Sequence, residues 1–181
     1  AISSPNDFYG YQVSCNGGTD GAIDLSISAG VSPYSYLWSG PYGFVSNAQN
    51  LIGLRAGEYT VVATDANGCT IPDTIVLTEP TALDATSVVT SEAVNYGWGV
   101  SCNGASDGAV DLTITGGIES EGYKVDWSGP SGSISAEDLV DVLAGSYTAT
   151  IKDSNQCTIT HDVNVSEPPV LNPGQITGDQ F

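Results

Sequence analysis

Basic residues are almost missing from this chain. Arg55, Lys124 and Lys152 stand against 21 Asp and Glu, and the formal net charge is −18 over 181 residues. Nucleic-acid binding rests on basic side chains that displace counterions from phosphates, so nucleic acid is excluded as a partner. Anionic lipid head groups repel such a surface too. No apolar run approaches the roughly 18–20 residues a membrane helix needs, so direct membrane insertion is not expected. The first ten residues, AISSPNDFYG, have neither the basic nor the apolar region of a signal peptide. The chain therefore reads as a mature piece of a larger protein. Methionine is absent and His161 is the single histidine. With one histidine the sequence offers no Ser/His or Cys/His pair at a recurring position, and no enzyme is expected.

What is abundant is turn chemistry between short apolar runs. There are 22 Gly and 9 Pro, and 40% of the residues are hydrophobic, enough for packed cores. Val, Ile, Thr, Ser and Tyr fill the runs, and Gly, Asn and Asp separate them, which is the composition of strands and turns. No helix is expected. The stretch from Ala136 to Val142 could form one turn at most.

The chain repeats itself. VSCNGGTDGAIDLSI, beginning at Val13, returns as VSCNGASDGAVDLTI at Val100. The Trp-Ser-Gly-Pro run at Trp38 returns at Trp127. AGEYTVVATDANGCTI, beginning at Ala56, returns as AGSYTATIKDSNQCTI at Ala144, and Glu79-Pro80 returns as Glu167-Pro168. Pro169 to Asn172 matches Thr81 to Asp84, so a third copy is expected to begin in the tail. The expected organisation is a first repeat over 1–80 with a truncated first strand, a second over 81–168, and a tail over 169–181 cut from a longer array. A two-repeat protein with a free tail is the other reading.

Within each repeat the apolar residues alternate. Ile23, Leu25 and Ile27 share one face of a strand, as do Val110, Leu112 and Ile114. Tyr34, Tyr36 and Trp38 line the next, matched by Tyr123, Val125 and Trp127. Tyr59, Val61 and Ala63 line a third, matched by Tyr147, Ala149 and Ile151. Ile71, Ile75 and Leu77 form a fourth, matched by Ile159, Val163 and Val165. Period-two alternation marks strands buried on one face. About seven such strands per repeat make a two-sheet sandwich. The run from Leu54 to Tyr59 has the form of a tyrosine corner, as does Val142 to Tyr147. The fold class expected is all-β: two tandem immunoglobulin-like β-sandwich repeats, each with one internal disulfide. The disulfide expectation follows from independent folding, which favours pairing Cys15 with Cys69 and Cys102 with Cys157. Each loop of about 55 residues would contribute on the order of 4 kcal/mol in the chain-entropy model and would imply an oxidising, extracellular setting. The spacing carries no C-x₂-C pair for zinc. Asp65-Ala66-Asn67-Gly68 forms a hairpin turn; the second repeat has Gln156 in place of Gly68, so a different turn is expected there.

Calcium is the cofactor to weigh. A Cys15–Cys69 bridge would gather Asn16 and Asp20 with Asp65 and Asn67, and the second repeat would gather Asn103, Asp107, Asp153 and Asn155. Asp and Asn oxygens are calcium ligands, and they are equally turn formers that bond their own backbones. Glu79 and Asp84 offer a junction site, with Glu-Pro as a stiffening link the other reading. For ligands, Tyr42, Phe44, Tyr96 and Trp98 could stack on sugar rings or could close the edge of a core. Asn164-Val165-Ser166 is a glycosylation sequon.

The ordered set V-S-C-N-G-x-x-D-G-x-[IV]-D-L-[ST]-I, Y-x-x-x-W, L-x-[AG]-x-Y-T, D-x-N-x-C-T-I and E-P resembles the repeat of SprB-type gliding adhesins and related giant surface proteins of the Bacteroidetes. The resemblance spans both repeats. It implies type IX secretion, display at the outer-membrane cell surface, and a monomeric, non-catalytic structural or adhesive segment used in cell adhesion or gliding motility. Its partners would be neighbouring repeats of the same chain and surface polysaccharide. A carbohydrate-binding module is the alternative function.

Overall fold

A computed structural model describes residues 1–91 and 97–172. Fourteen strands run along these residues, with one 3-10 turn at Pro41–Gly43 and no α-helix among them. Two compact units emerge. The first comprises Ala1–Leu83 together with two short segments from further along the chain, Gly116–Ser120 and Ser154–Cys157. The second comprises Asp84–Thr115, Glu121–Asp153 and Thr158–Phe181.

The first unit holds β1 (Ile2–Ser3), β2 (Gly21–Leu25), β3 (Ser35–Ser39), β4 (Val45–Ser46), β5 (Leu51–Leu54), β6 (Gly57–Thr64) and β7 (Thr70–Leu77). They form a three-stranded sheet in the order β1-β2-β5 and a four-stranded sheet in the order β4-β3-β6-β7. All pairings are antiparallel. The alternation read from the sequence places Ile23 and Leu25 of one sheet against Trp38, Tyr59, Val61 and Leu77 of the other, all buried in one core. Ile71, at the far end of β7, is 63% exposed and does not join it.

The second unit holds β8 (Asp84–Val89), β9 (Gly108–Thr115), β10 (Lys124–Gly129), β11 (Gly132–Ile134), β12 (Leu139–Val142), β13 (Gly145–Lys152) and β14 (Thr158–Val165). Its sheets run β12-β9-β8 and β11-β10-β13-β14. Register is kept between the repeats: Trp38 faces Val61 and Trp127 faces Ala149. Leu139–Val142 is a strand rather than a helical turn.

Both tryptophans are sealed in. Trp38 is 0% and Trp127 is 1% exposed. Each indole N–H donates to a backbone carbonyl, Trp38 to Ala48 at 2.8 Å and Trp127 to Glu137 at 3.1 Å. The tyrosine corners are present: Tyr59 donates to the Arg55 carbonyl at 3.1 Å and Tyr147 to that of Leu143 at 2.9 Å. Burial raises the Tyr59 pKa, with the hydrogen bond and the charge of Arg55 opposing it.

The cysteine pairing differs from the expectation. Cys15 is joined to Cys157, 142 residues away, and Cys69 and Cys102 are exposed free thiols. Strand length is the reason. The turn carrying Cys15 is tied to the C-terminal end of β7, through Val13 N–H to the Thr78 carbonyl and Gly17 N–H to the Glu79 carboxylate. Cys69 precedes the N-terminal end of the same eight-residue strand. At ~3.3 Å per residue the two lie about 25 Å apart, far beyond the roughly 4.4–6.8 Å between Cα atoms that a disulfide spans. Cys102 and Cys157 are separated by the matching strand, β14.

The Gln156 hairpin also departs from expectation. Gln156 has φ 66° and Gly68 has φ 81°, so both hairpins use the same left-handed turn. A side chain there costs roughly 1–2 kcal/mol relative to the right-handed region.

Candidate functional site

The Cys-Asn-Gly turn is built twice from the same bonds. In the first repeat Ser14 N–H donates to Asp20 Oδ1 at 3.1 Å, Asn16 Nδ2 to the Pro80 carbonyl at 3.0 Å, and Gly17 N–H to Glu79 Oε2 at 2.8 Å. In the second, Ser101 N–H donates to Asp107 Oδ1 at 3.0 Å, Asn103 Nδ2 to the Pro168 carbonyl at 3.2 Å, and Gly104 N–H to Glu167 Oε2 at 2.9 Å. Glu-Pro thus serves as the acceptor of this turn, a role that its place beside a proline concealed in the sequence. In the first unit the turn also carries the disulfide, and Asn155 Nδ2 donates to the Ser14 carbonyl at 2.9 Å.

The Asp and Asn residues considered for calcium fall into separate groups. Asn16 and Asp20 belong to the turn just described. Asp65 sits in the β6–β7 hairpin with Asn67, where its carboxylate accepts from the backbone N–H groups of Asn67, Cys69 and Val31. The structure does not bring Asp65 and Asn67 to Asn16 and Asp20. In the second repeat Asn103 and Asp107 occupy the matching turn, and Asp153 and Asn155 the matching hairpin, with Asp153 buried. Among the described residues no group of three or more His, Cys, Asp or Glu could hold a metal ion.

Hydrogen bonds from the Cys69 and Val31 backbone N–H groups hold Asp65 below its ordinary 3.8, with slight burial opposing and Asn67 adding to the effect. Asp107 is lowered by its side-chain and backbone hydrogen bonds with Ser101. A depressed folded-state pKa means that the unfolded chain binds the proton first as pH falls. The stabilisation is present above 3.8 and is lost as pH drops through the folded value. Asp65→Asn is therefore expected to flatten the acid limb of a melting-temperature profile below about pH 4. An unchanged profile would show that this turn does not depend on its charge.

The aromatic residues also separate. Tyr42 is 89% exposed and has φ 56°. The Arg55 guanidinium carbon lies 5.7 Å from its ring centre. Phe44 turns inward and meets Tyr59 edge to face at 5.4 Å. With Thr19 and Gly53 these residues border an open cleft of about 270 Å³. Trp98 is 38% exposed, and Tyr96 lies outside the described residues.

One pair was not legible in the sequence. Ser87 Oγ lies 2.8 Å from His161 Nε2, joining β8 to β14. His161 corresponds to Asp73 in the first repeat, so no recurring motif pointed to it.

Residues 12–43 and 100–132 match the family model of the SprB repeat. No curated protein matches the chain. Among solved structures, the amphioxus IgVJ-C2 molecule is 12% identical, with 82% of this chain and 97% of that one covered at a TM-score of 0.37. Extracellular domains 3–5 of Drosophila OTK are 13% identical, covering 86% of this chain and 58% of that one at 0.35. The IG1+IG2 portion of DIP-gamma is 11% identical, covering 81% and 94% at 0.35.

Proposed function

We propose, from the two SprB repeats at residues 12–43 and 100–132, that this chain is a non-catalytic spacer within a secreted bacterial cell-surface adhesin. Each repeat forms one immunoglobulin-like sandwich, and the adhesin is of the kind exported by the type IX system and moved in gliding. The repeated Cys-Asn-Gly turn, locked by a disulfide in the first unit, is the observation that carries this reading. It ties together parts of the chain 142 residues apart, as an element that transmits tension requires. The charge of −18 keeps such a stalk soluble. On this reading the Asp and Asn residues of the turns act through backbone hydrogen bonds, and adding calcium after EDTA should leave the melting temperature unchanged. A rise would assign them to a bound ion.

A sugar-binding role is favoured by one observation, the exposed Tyr42 held in left-handed backbone beside its cleft. Backbone of this kind costs of order 1–3 kcal/mol and gathers at functional sites. A glycan array separates the two readings. A spacer binds nothing, and binding that Tyr42→Ala abolishes would replace the spacer with a carbohydrate-binding module.

A further inference from the structure

The disulfide-bearing joint inside the first unit has two halves, and each half exists a second time, with its cysteine free. The receiving half is the Cys15 turn with Thr81 and Ala82. The inserted half is Gly116–Ser120 with Ser154–Cys157. Gly117 N–H donates to the Thr81 carbonyl at 3.0 Å, Ser154 N–H to the Ile118 carbonyl at 2.9 Å, and Ile118 is 7% exposed.

The receiving half recurs in the second unit. Its turn is built from the same hydrogen bonds, as described above, so Cys102 is presented as Cys15 is. Around it Ser101, Cys102, Asn103, Pro168, Val170 and Leu171 border a cleft of about 400 Å³. Val170 is 69% and Leu171 95% exposed. The inserted half recurs in the first unit. Ala66 N–H donates to the Val31 carbonyl at 2.8 Å, repeating the Ser154–Ile118 bond, and Gly68 shares the left-handed turn of Gln156. Val31, in the position of Ile118, is 48% exposed. Cys69, in the position of Cys157, is an exposed free thiol, as is Cys102.

We infer that the Cys102 turn and its cleft form a docking surface for the Val31 loop and Cys69 hairpin of a further repeat of this kind, which a second copy of this chain supplies, and that a Cys69–Cys102 disulfide closes the joint. The two surfaces differ, so the contact is head to tail and extends into a linear string rather than a closed pair. With glutathione disulfide as oxidant, one cysteine thiolate attacks it and expels a glutathione thiolate, leaving a mixed disulfide. The second cysteine thiolate then attacks the protein sulfur and expels the other. One protein disulfide forms and one glutathione disulfide is reduced to two thiols. The inference rests on the joint and not on the adhesin reading, so a positive glycan array would leave it standing.

The test uses the full chain in a glutathione redox buffer, with salt to screen two strongly acidic molecules. Free thiols are then trapped by alkylation and peptides mapped without reduction. A ladder of oligomers is expected, with Cys15–Cys157 intact and Cys69–Cys102 exceeding each like-with-like pairing at least about tenfold, the ratio that 1.4 kcal/mol of docking preference gives. Cys69→Ser and Cys102→Ser should each stay monomeric alone and form a dimer when mixed. Ala29 stands where Gly116 has φ 74° and where a Cβ would lie 1.9 Å from the Ala82 carbonyl oxygen, and Ala29 itself does not share that left-handed backbone, so Ala29→Gly, which frees the backbone to adopt it, should speed the cross-link. A statistical mixture of pairings, a Cys69–Cys102 bridge within one molecule, dimers of either single variant at the rate of the mixture, or no gain from Ala29→Gly would overturn the inference.

Discussion

Pulled by its two ends, the oxidised chain is expected to extend about 480 Å less than the reduced chain. The Cys15–Cys157 bond bypasses 142 residue steps, each worth roughly 3.3–3.6 Å when extended. Force enters at the termini, so the bond carries it from residue 15 directly to residue 157. All the strands except β1 and β14 lie within the bypassed stretch and can unfold without lengthening the chain. Reduction, or Cys157→Ser, returns the whole length. Had each repeat closed its own disulfide, the 33 residue steps from Cys69 to Cys102 (102 − 69) would also remain free to extend in the oxidised form. Single-molecule pulling with and without reductant distinguishes the two. Large unfolding steps in the oxidised chain would exclude the long closure. For a spacer the consequence is direct, because the tie limits extension whether or not the domains survive the load.

The strands, the buried tryptophans and the tyrosine corners were legible because each depends on local pattern. Alternation fixes which side chains of a strand share a face. The tyrosine corner closes within five residues, Tyr59 on Arg55 and Tyr147 on Leu143. The cysteine pairing was not legible in the same way. It depends on which end of a sandwich each turn occupies, and β7 carries Cys69 to the end opposite Cys15. The assumption that a repeat closes its own disulfide left this geometry out. The calcium grouping failed to assemble for the same reason, since it borrowed its proximity from the Cys15–Cys69 bridge. In the sequence Glu79 offers either a junction ligand with Asp84 or a stiffening Glu-Pro link, and Glu167 only repeats its Glu-Pro pair. Their carboxylates accept from the Gly17 and Gly104 backbone instead, a contact more than sixty residues long in sequence. Gln156 misled in a simpler way: residue type suggested a new turn, but the eight-residue register between β13 and β14 holds the old one.

Trp38→Ala and Trp127→Ala are each expected to cost about 3–5 kcal/mol, the range for truncating a buried aromatic side chain. Each indole is completely or almost completely buried, so truncation removes apolar area and leaves a cavity between two sheets. It also removes the indole N–H bond to the Ala48 or Glu137 carbonyl. Both acceptors belong to exposed residues, where water takes the place of the indole, so the lost bond adds only about 0.5–1.5 kcal/mol. Small domains have about 5–15 kcal/mol in all, so either substitution takes a large share. Trp→Phe at the same positions separates the contributions, because phenylalanine restores most of the apolar contact but not the donor. Trp98, 38% exposed, supplies the contrast, with an expected cost for Trp98→Ala of no more than about 0.5 kcal/mol as for other surface changes. Denaturant unfolding followed by near-UV circular dichroism measures all of them. Equal losses at Trp38, Trp127 and Trp98 would mean that the two indoles do not organise the cores. A large loss at the first two and almost none at the third would tie the stability of the chain to one tryptophan per repeat.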